Sequence, residues 1–314
     1  MNMNRFYSFF ACCALLLCPV ASFAQSTKEE YADRYNLLVK NLGETGVGIE
    51  TLLDNWRAAY PDDTDMLIAT FRYYLAKSQK QEVVRKDVSR YLGMKPILSL
   101  KDSLGKDVWF YQETFFDDEL FGTAAKAIDK AISLNPDRLD MRFSKISSEM
   151  AYEKESPDMA GQDLKSLITY NYTEKPSWVF KGVDKVDDEF FRAGVQEYCV
   201  ALFQRGGQKC FDEFKSVSEL MLQYVGDEPL FLSNLGSYYL VSAKEPKTAL
   251  KYYTKVLKLK PDDYTAIKNC VLMARNENNV KMEKKYLAQL IKVTESESEK
   301  LTSQARLDQL NGKK

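Results

Sequence analysis

The sequence predicts an all-α fold, a superhelical array of antiparallel helix hairpins carrying one small β-hairpin insertion. Three observations predict it. Between Leu230 and Asp263, apolar residues recur at helical spacing on both sides of a short polar break. A proline followed by aspartate punctuates the chain at Pro61, Pro136 and Pro261, each time between two helical patterns. Upstream of Pro136, Ala124, Ile128 and Ala131 stand at the same offsets that Ala249, Tyr253 and Val256 keep from Pro261. Units repeated in this way cannot bury an apolar face alone, so stacking on neighbours must make the core.

The chain opens with a short polar start carrying Arg5, an apolar run from Phe6 to Val20, and small residues leading to Ala24. That is the anatomy of a secretory signal peptide, residues 1–24, with cleavage expected after Ala24. The run is shorter than the ~20 residues that span a bilayer. Cys18 follows Leu16 and Leu17 rather than a small residue, and Cys12 comes too early, so soluble export is favoured over a lipid anchor. The expected location is therefore periplasmic or extracellular. Arg5 is the only charged residue removed with this segment. Of 44 basic residues 43 remain against 45 acidic ones, a net charge of −2. Such a balance argues against a nucleic-acid partner, because neutralising phosphates supplies most of that affinity. No later stretch is long and apolar enough to cross a membrane.

The helical domain is expected over residues 25–293, as about six hairpins. Periodicity pairs Lys28 to Leu42 with Ile49 to Tyr60, and Asp63 to Ser78 with Gln81 to Leu92. Pro96 to Gln112 reads as a β-hairpin insertion, because a turn signal at Asp102 to Lys106 separates two β-prone runs. The Pro-Asp boundary at Pro136 has a helix on each side. A long loop is expected from Tyr170 to Asp187, and a pair from Asp187 to Phe203 and Lys209 to Tyr224 turns at Gly206 and Gly207. Further pairs follow at 230–263 and from Asp263 to Arg275 with Val280 to Val293. The tail, residues 294–314, is polar, and its few leucines suggest at most a frayed terminal helix.

The stretch 230–263 is the most specific. Leu232, Leu235, Gly236 and Tyr239 mark one face of a first helix, and Ala249, Tyr253 and Val256 one face of a second, with Pro261 as the stop. Small residues at Gly236 and Ala249 let the two backbones approach. In order, Leu235, Gly236, Tyr239, Ala249, Tyr253 and Pro261 resemble the tetratricopeptide repeat (TPR) pattern. Leu232 replaces the usual Trp, Val256 the second Ala, and the turn near Glu245 has one extra residue. The match covers about a ninth of the chain, and FRYYLAKS after Pro61 parallels GSYYLVSA. The resemblance implies a TPR-like solenoid with a groove that binds proteins or peptides, a fold-level analogy that names no ligand.

The chain contains no histidine, which removes histidine-based triads and metal sites. No GxxxxGK[ST], GxGxxG or CxxC occurs, so neither cofactor nor metal is expected. Carboxylate catalysis needs only two acids, and Asp117 with Glu119 or Asp187 with Glu189 are clustered enough to consider. Acidic runs beside helix starts more often cap the helix, so no enzyme is expected. Cys199, Cys210 and Cys270 remain after export. A Cys199–Cys210 disulfide is open, with buried free thiols favoured.

Five aromatic residues are candidate partner contacts. Trp178 and Phe180 follow a Lys-Pro-Ser turn, either covering an edge of the array or anchoring a partner. Trp109 lies in the β-hairpin, whose open edge could accept an extended peptide. Tyr238 and Tyr252 belong to adjacent tyrosine pairs. Neighbours on a helix point about 100° apart, so Tyr239 and Tyr253 read as core, leaving Tyr238, Tyr252 and Tyr73 for the surface. The expected function is an exported protein-binding scaffold in the cell envelope. The alternatives are an envelope glycan-binding protein resembling the starch-utilisation binding family and, behind it, a carboxylate-based hydrolase.

Overall fold

The computed structural model describes residues 26–312, so the predicted signal peptide lies outside them. The chain is a row of helix hairpins. Helices α1 (Lys28–Leu42) and α2 (Ile49–Ala59) pair first, and Thr27 opens α1 with a reciprocal capping box to Glu30. Helix α3 (Thr64–Ser78) packs on α4 (Asp118–Leu134), and α5 (Leu139–Glu153) on α6 (Asp158–Glu174). Next come α7 (Asp188–Arg205) with α8 (Gln208–Val225), α9 (Pro229–Val241) with α10 (Pro246–Leu259), and α11 (Tyr264–Asn276) with α12 (Val280–Val293). A last helix, α13 (Glu297–Leu310), packs on α12. Among the described residues no helix is long and apolar enough to cross a membrane.

Buried apolar side chains form three successive clusters along this row. The first runs from Tyr31 to Met141, the second from Leu139 to Phe231, and the third from Leu232 to Leu290. Each hairpin thus completes its core with its neighbours, as a quasi-one-dimensional array requires. The equal offsets before the prolines have a common cause. Ala124, Ile128 and Ala131 on α4, like Ala249, Tyr253 and Val256 on α10, are fully buried against the first helix of their own hairpin.

The partner of α3 is not the helix expected at Gln81 to Leu92. That segment begins with strand β1 (Gln79–Lys86), which pairs antiparallel with β3 (Asp107–Phe116), while β2 (Leu98–Lys101) pairs along the other side of β3. The sheet order is β1-β3-β2. Val83 and Val84 are the only apolar residues of β1, too few for a buried helical face. The aromatic-rich strand β3 offers Val84 a cross-strand partner in Tyr111. The turn at 102–106 joins β2 to β3, with Asp102 Oδ1 accepting from the Leu104 and Lys106 amides at 2.9 Å. The whole sheet is therefore inserted between the two helices of one hairpin. At its neck the Asp117 amide donates to the Ser78 carbonyl at 2.8 Å.

Glu113 of β3 ties the sheet to the array. Its buried carboxylate receives Lys154 Nζ from the end of α5 at 2.6 Å and Lys86 Nζ at 3.5 Å. Burial alone would raise its pKa, but the two ammonium groups hold it below the usual carboxylate range.

The C-terminal tail is also more ordered than its composition suggests. Helix α13 is capped by Ser296 and clamped by an ion pair from Arg306 to Glu283 of α12. Leu307 and Leu310 pack on the third core cluster. The three described cysteines are buried and free, and burial pushes the Cys199 thiol up to about 12 and that of Cys270 to about 11.

Candidate binding surfaces

The loop after α6 is shorter than expected, because α6 continues to Glu174. Its extended part is stitched to the start of α5: the Val179 amide donates to the Asp137 carbonyl and the Leu139 amide to the Val179 carbonyl, both at 2.9 Å. In an extended segment residues two apart share a side, so Trp178 and Phe180 both turn onto the array. Trp178 stacks on Phe191 of α7 with centroids 6.3 Å apart and planes at 4°, and its Nε1 donates to Asn171 Oδ1 at 2.7 Å. The Arg142 guanidinium lies 5.6 Å from its ring centre. Phe180 meets Phe190 edge to face at 5.2 Å.

Phe180 forms the rim of a groove of ≈ 510 Å³ between α5 and α7. From α5, Phe143, Ser147 and Met150 line it at i, i+4 and i+7. From α7 come Phe190, Ala193, Gly194, Glu197, Tyr198 and Ala201. These spacings place one face of each helix toward the groove. At its floor the Tyr198 hydroxyl donates to the Phe143 carbonyl at 2.7 Å and bonds Ser147 Oγ at 3.0 Å. Phe143 sits deep because α7 carries glycine opposite it, where a Cβ on Gly194 would meet Phe143 Cε2 at 2.6 Å. The lining is apolar apart from Ser147, Tyr198 and Glu197. Glu197 is exposed at the mouth and makes no ion pair among the described residues.

Tyr238 and Tyr252 come together through Tyr239. Tyr239 stacks on Tyr252 at 5.4 Å with planes at 9° and meets Tyr238 edge to face at 5.4 Å, under the Lys215 ammonium. Tyr253 is fully buried, but Tyr239, expected in the core, is half-buried. Conversely Tyr73, expected at the surface, is 5 % exposed because α3 also packs on α1 and α2. Its hydroxyl donates to Glu50 Oε2 at 3.0 Å. Trp109 stands apart from the other candidates, half-buried in β3 between Lys86 and Ser99 of the flanking strands.

One acid of each candidate pair caps a helix. Asp117 Oδ1 accepts from the Leu120 amide and Asp187 Oδ1 from the Phe190 amide, each at 2.9 Å, at the starts of α4 and α7. Sequence reasoning missed the α5 and α7 side of the groove. The one local signal was Gly194, an isolated glycine inside a helical pattern, at the position whose missing Cβ gives Phe143 its space.

No family model matches the sequence, and no curated protein matches it. Among solved structures, the chain is similar to pilF of Pseudomonas aeruginosa, with 16% identity, a TM-score of 0.40, and coverage of 61% of this chain and 77% of that one. It is also similar to the flexible tandem repeat domain of a bacterial cellulose synthase component, with 13% identity, a TM-score of 0.25, and coverage of 91% and 98%. Both superpositions are loose.

Proposed function

We propose that this chain is an exported, non-catalytic protein-binding scaffold whose principal site is the apolar groove between α5 and α7. The observation that carries this reading is the groove itself. It is an open trough of ≈ 510 Å³ with Phe143, Met150, Phe180 and Phe190 in its walls and one unpaired carboxylate, Glu197, at its mouth. Such a lining takes a large apolar side chain of a peptide, and Glu197 favours a basic residue beside that anchor. Small residues at Ala193 and Ala201 leave room for the ligand backbone to lie close to α7. The capping roles of Asp117 and Asp187 support a structural part for the clustered acids. Export rests on the sequence of residues 1–24.

The test is a peptide-display selection on the chain from residue 25 to 314, run in parallel on Ala193→Trp, which fills the trough from an exposed position. Enrichment of peptides with an aromatic or aliphatic anchor next to Lys or Arg, lost on the variant, is the expected result. Equal enrichment on both proteins sinks the groove as the site. Retention of envelope polysaccharide in place of peptides would move the function to glycan capture.

A further inference from the structure

We infer that the outer face of α10 is a second docking surface, built to take an acidic amphipathic helix of a partner protein. Lys247, Lys251, Lys255 and Lys258 stand at i, i+4, i+8 and i+11, on the side of α10 opposite the buried Ala249, Tyr253 and Val256. With Leu250 and Leu259 they line an open trough of ≈ 700 Å³, which Asp227 closes at one point. Lys255 is paired with Asp227. The other three lysines make no ion pair or hydrogen bond among the described residues. In a chain of net charge −1, this row concentrates positive charge on one strip of surface.

Shape and lining choose the occupant. A bilayer surface is flat and does not enter a trough. A polyphosphate or sugar-phosphate chain would satisfy the lysines but has no apolar groups to cover Leu250 and the half-exposed Leu259. A helix rises 1.5 Å per residue, so acidic side chains four apart lie about 6 Å from one another, the spacing of the lysines themselves. A partner helix with Glu or Asp at i, i+4, i+8 and i+11 and leucines between them pairs the three unpaired lysines, reinforces the charge at Lys255 and covers both leucines. This surface shares no lining residue with the α5–α7 groove, so the two proposals stand or fall separately.

The experiment uses the chain from residue 25 to 314 and a fluorescein-labelled synthetic helix bearing that Glu and Leu pattern, with a scrambled peptide of equal composition. Anisotropy is read at low and high salt. The patterned helix is expected to bind at least tenfold tighter than the scramble and to weaken with salt. Lys251→Glu combined with Lys258→Glu, both at exposed positions, should weaken it at least tenfold. The same double variant should gain affinity for a helix whose Glu residues are replaced by Lys. Equal binding of patterned and scrambled peptides overturns the proposal, as does unchanged affinity in the double variant. Tighter binding of inorganic polyphosphate than of the helix, lost in the same variant, also overturns it and assigns the trough to a polyanion.

Discussion

The ring of Tyr253 occupies the space that a side chain at Gly236 would need. A methyl group there would lie 2.6 Å from Tyr253 Cε1. The ring has no room to swing away, because it is fully buried and its hydroxyl bonds Ser237 Oγ at 3.1 Å and Asn269 Nδ2 at 2.8 Å. Gly236→Ala is therefore expected to destabilise the protein by about 1–3 kcal/mol, overpacking outweighing the gain in helix propensity. Gly122 on α4 provides the contrast, since nothing stands within 4 Å of its missing Cβ. Gly122→Ala should stabilise by about 0.5–1 kcal/mol. Chemical denaturation of both variants checks the pair, and a gain in both would remove the close contact from the account.

Glu149 gives the array a pH-dependent weakness. It is 6 % exposed and its Oε2 has no hydrogen-bond partner. Lys145 reaches Oε1 only at 3.7 Å while standing 2.8 Å from both Asp129 and Asp163. Burial and the neighbouring Asp163 push the Glu149 carboxyl up from 4.5 to about 7. A pKa raised by folding means that the native state binds the proton more tightly. Its contribution is present in full below the unfolded value and is lost as pH rises through about 7. Glu149→Gln should match wild type at pH 4 and exceed it at pH 8 by on the order of 1–3 kcal/mol. Denaturation curves at both pH values decide it, and parallel curves at both would count against the buried charge.

Glu283 should govern the docking of α13. Its carboxylate is almost fully buried and receives Arg306 Nε at 3.0 Å and Arg275 Nε at 2.8 Å. Arg306, and with it Arg275, holds the pKa below the usual range against burial. A depressed pKa contributes stability above the unfolded value that is lost as pH falls through the folded one. Glu283→Gln should speed amide exchange across residues 297–310 several-fold while leaving α9 and α10 unchanged. Uniform exchange over the whole chain would mean that the clamp is global.

Trp178 and Phe180 should separate in experiment, although they sit two residues apart. Trp178 is stacked and hydrogen-bonded, so Trp178→Ala is expected to cost roughly 2–4 kcal/mol. Phe180 stands at the rim of the α5–α7 groove, so Phe180→Ala should weaken a selected peptide more than tenfold at a smaller loss of stability. Peptide titrations set beside thermal melts of both variants test this. The opposite ranking would make Trp178 the anchor.

Much of the fold was legible because its signals are local. The helical periodicity of α9 and α10, the proline stops and the burial of Ala124, Ile128 and Ala131 follow from spacing along one helix. The β1 segment was misread because a strand's choice depends on its partner, and Gln79 pairs with Phe116, far along the chain. The candidate site divided in the same way. Trp178 and Phe180 were visible as apolar residues in a polar loop, whereas nothing local singles out Phe143 and Phe190, which α5 and α7 bring to one groove only when set side by side.

By itself the sequence determined that helices dominate, where most of them begin and end, and that hairpins stack into one array. Apolar periodicity, caps and proline stops act within a few residues and need no knowledge of what lies across the core. Only the tertiary structure decided that a three-stranded sheet interrupts one hairpin, that a polar tail is held as helix α13, and that an apolar groove opens between α5 and α7. Each of these depends on contacts between residues distant in the chain: Gln79 with Phe116, Glu283 with Arg306, and Phe143 with Gly194. Such contacts carry no local pattern, because only packing brings their partners together.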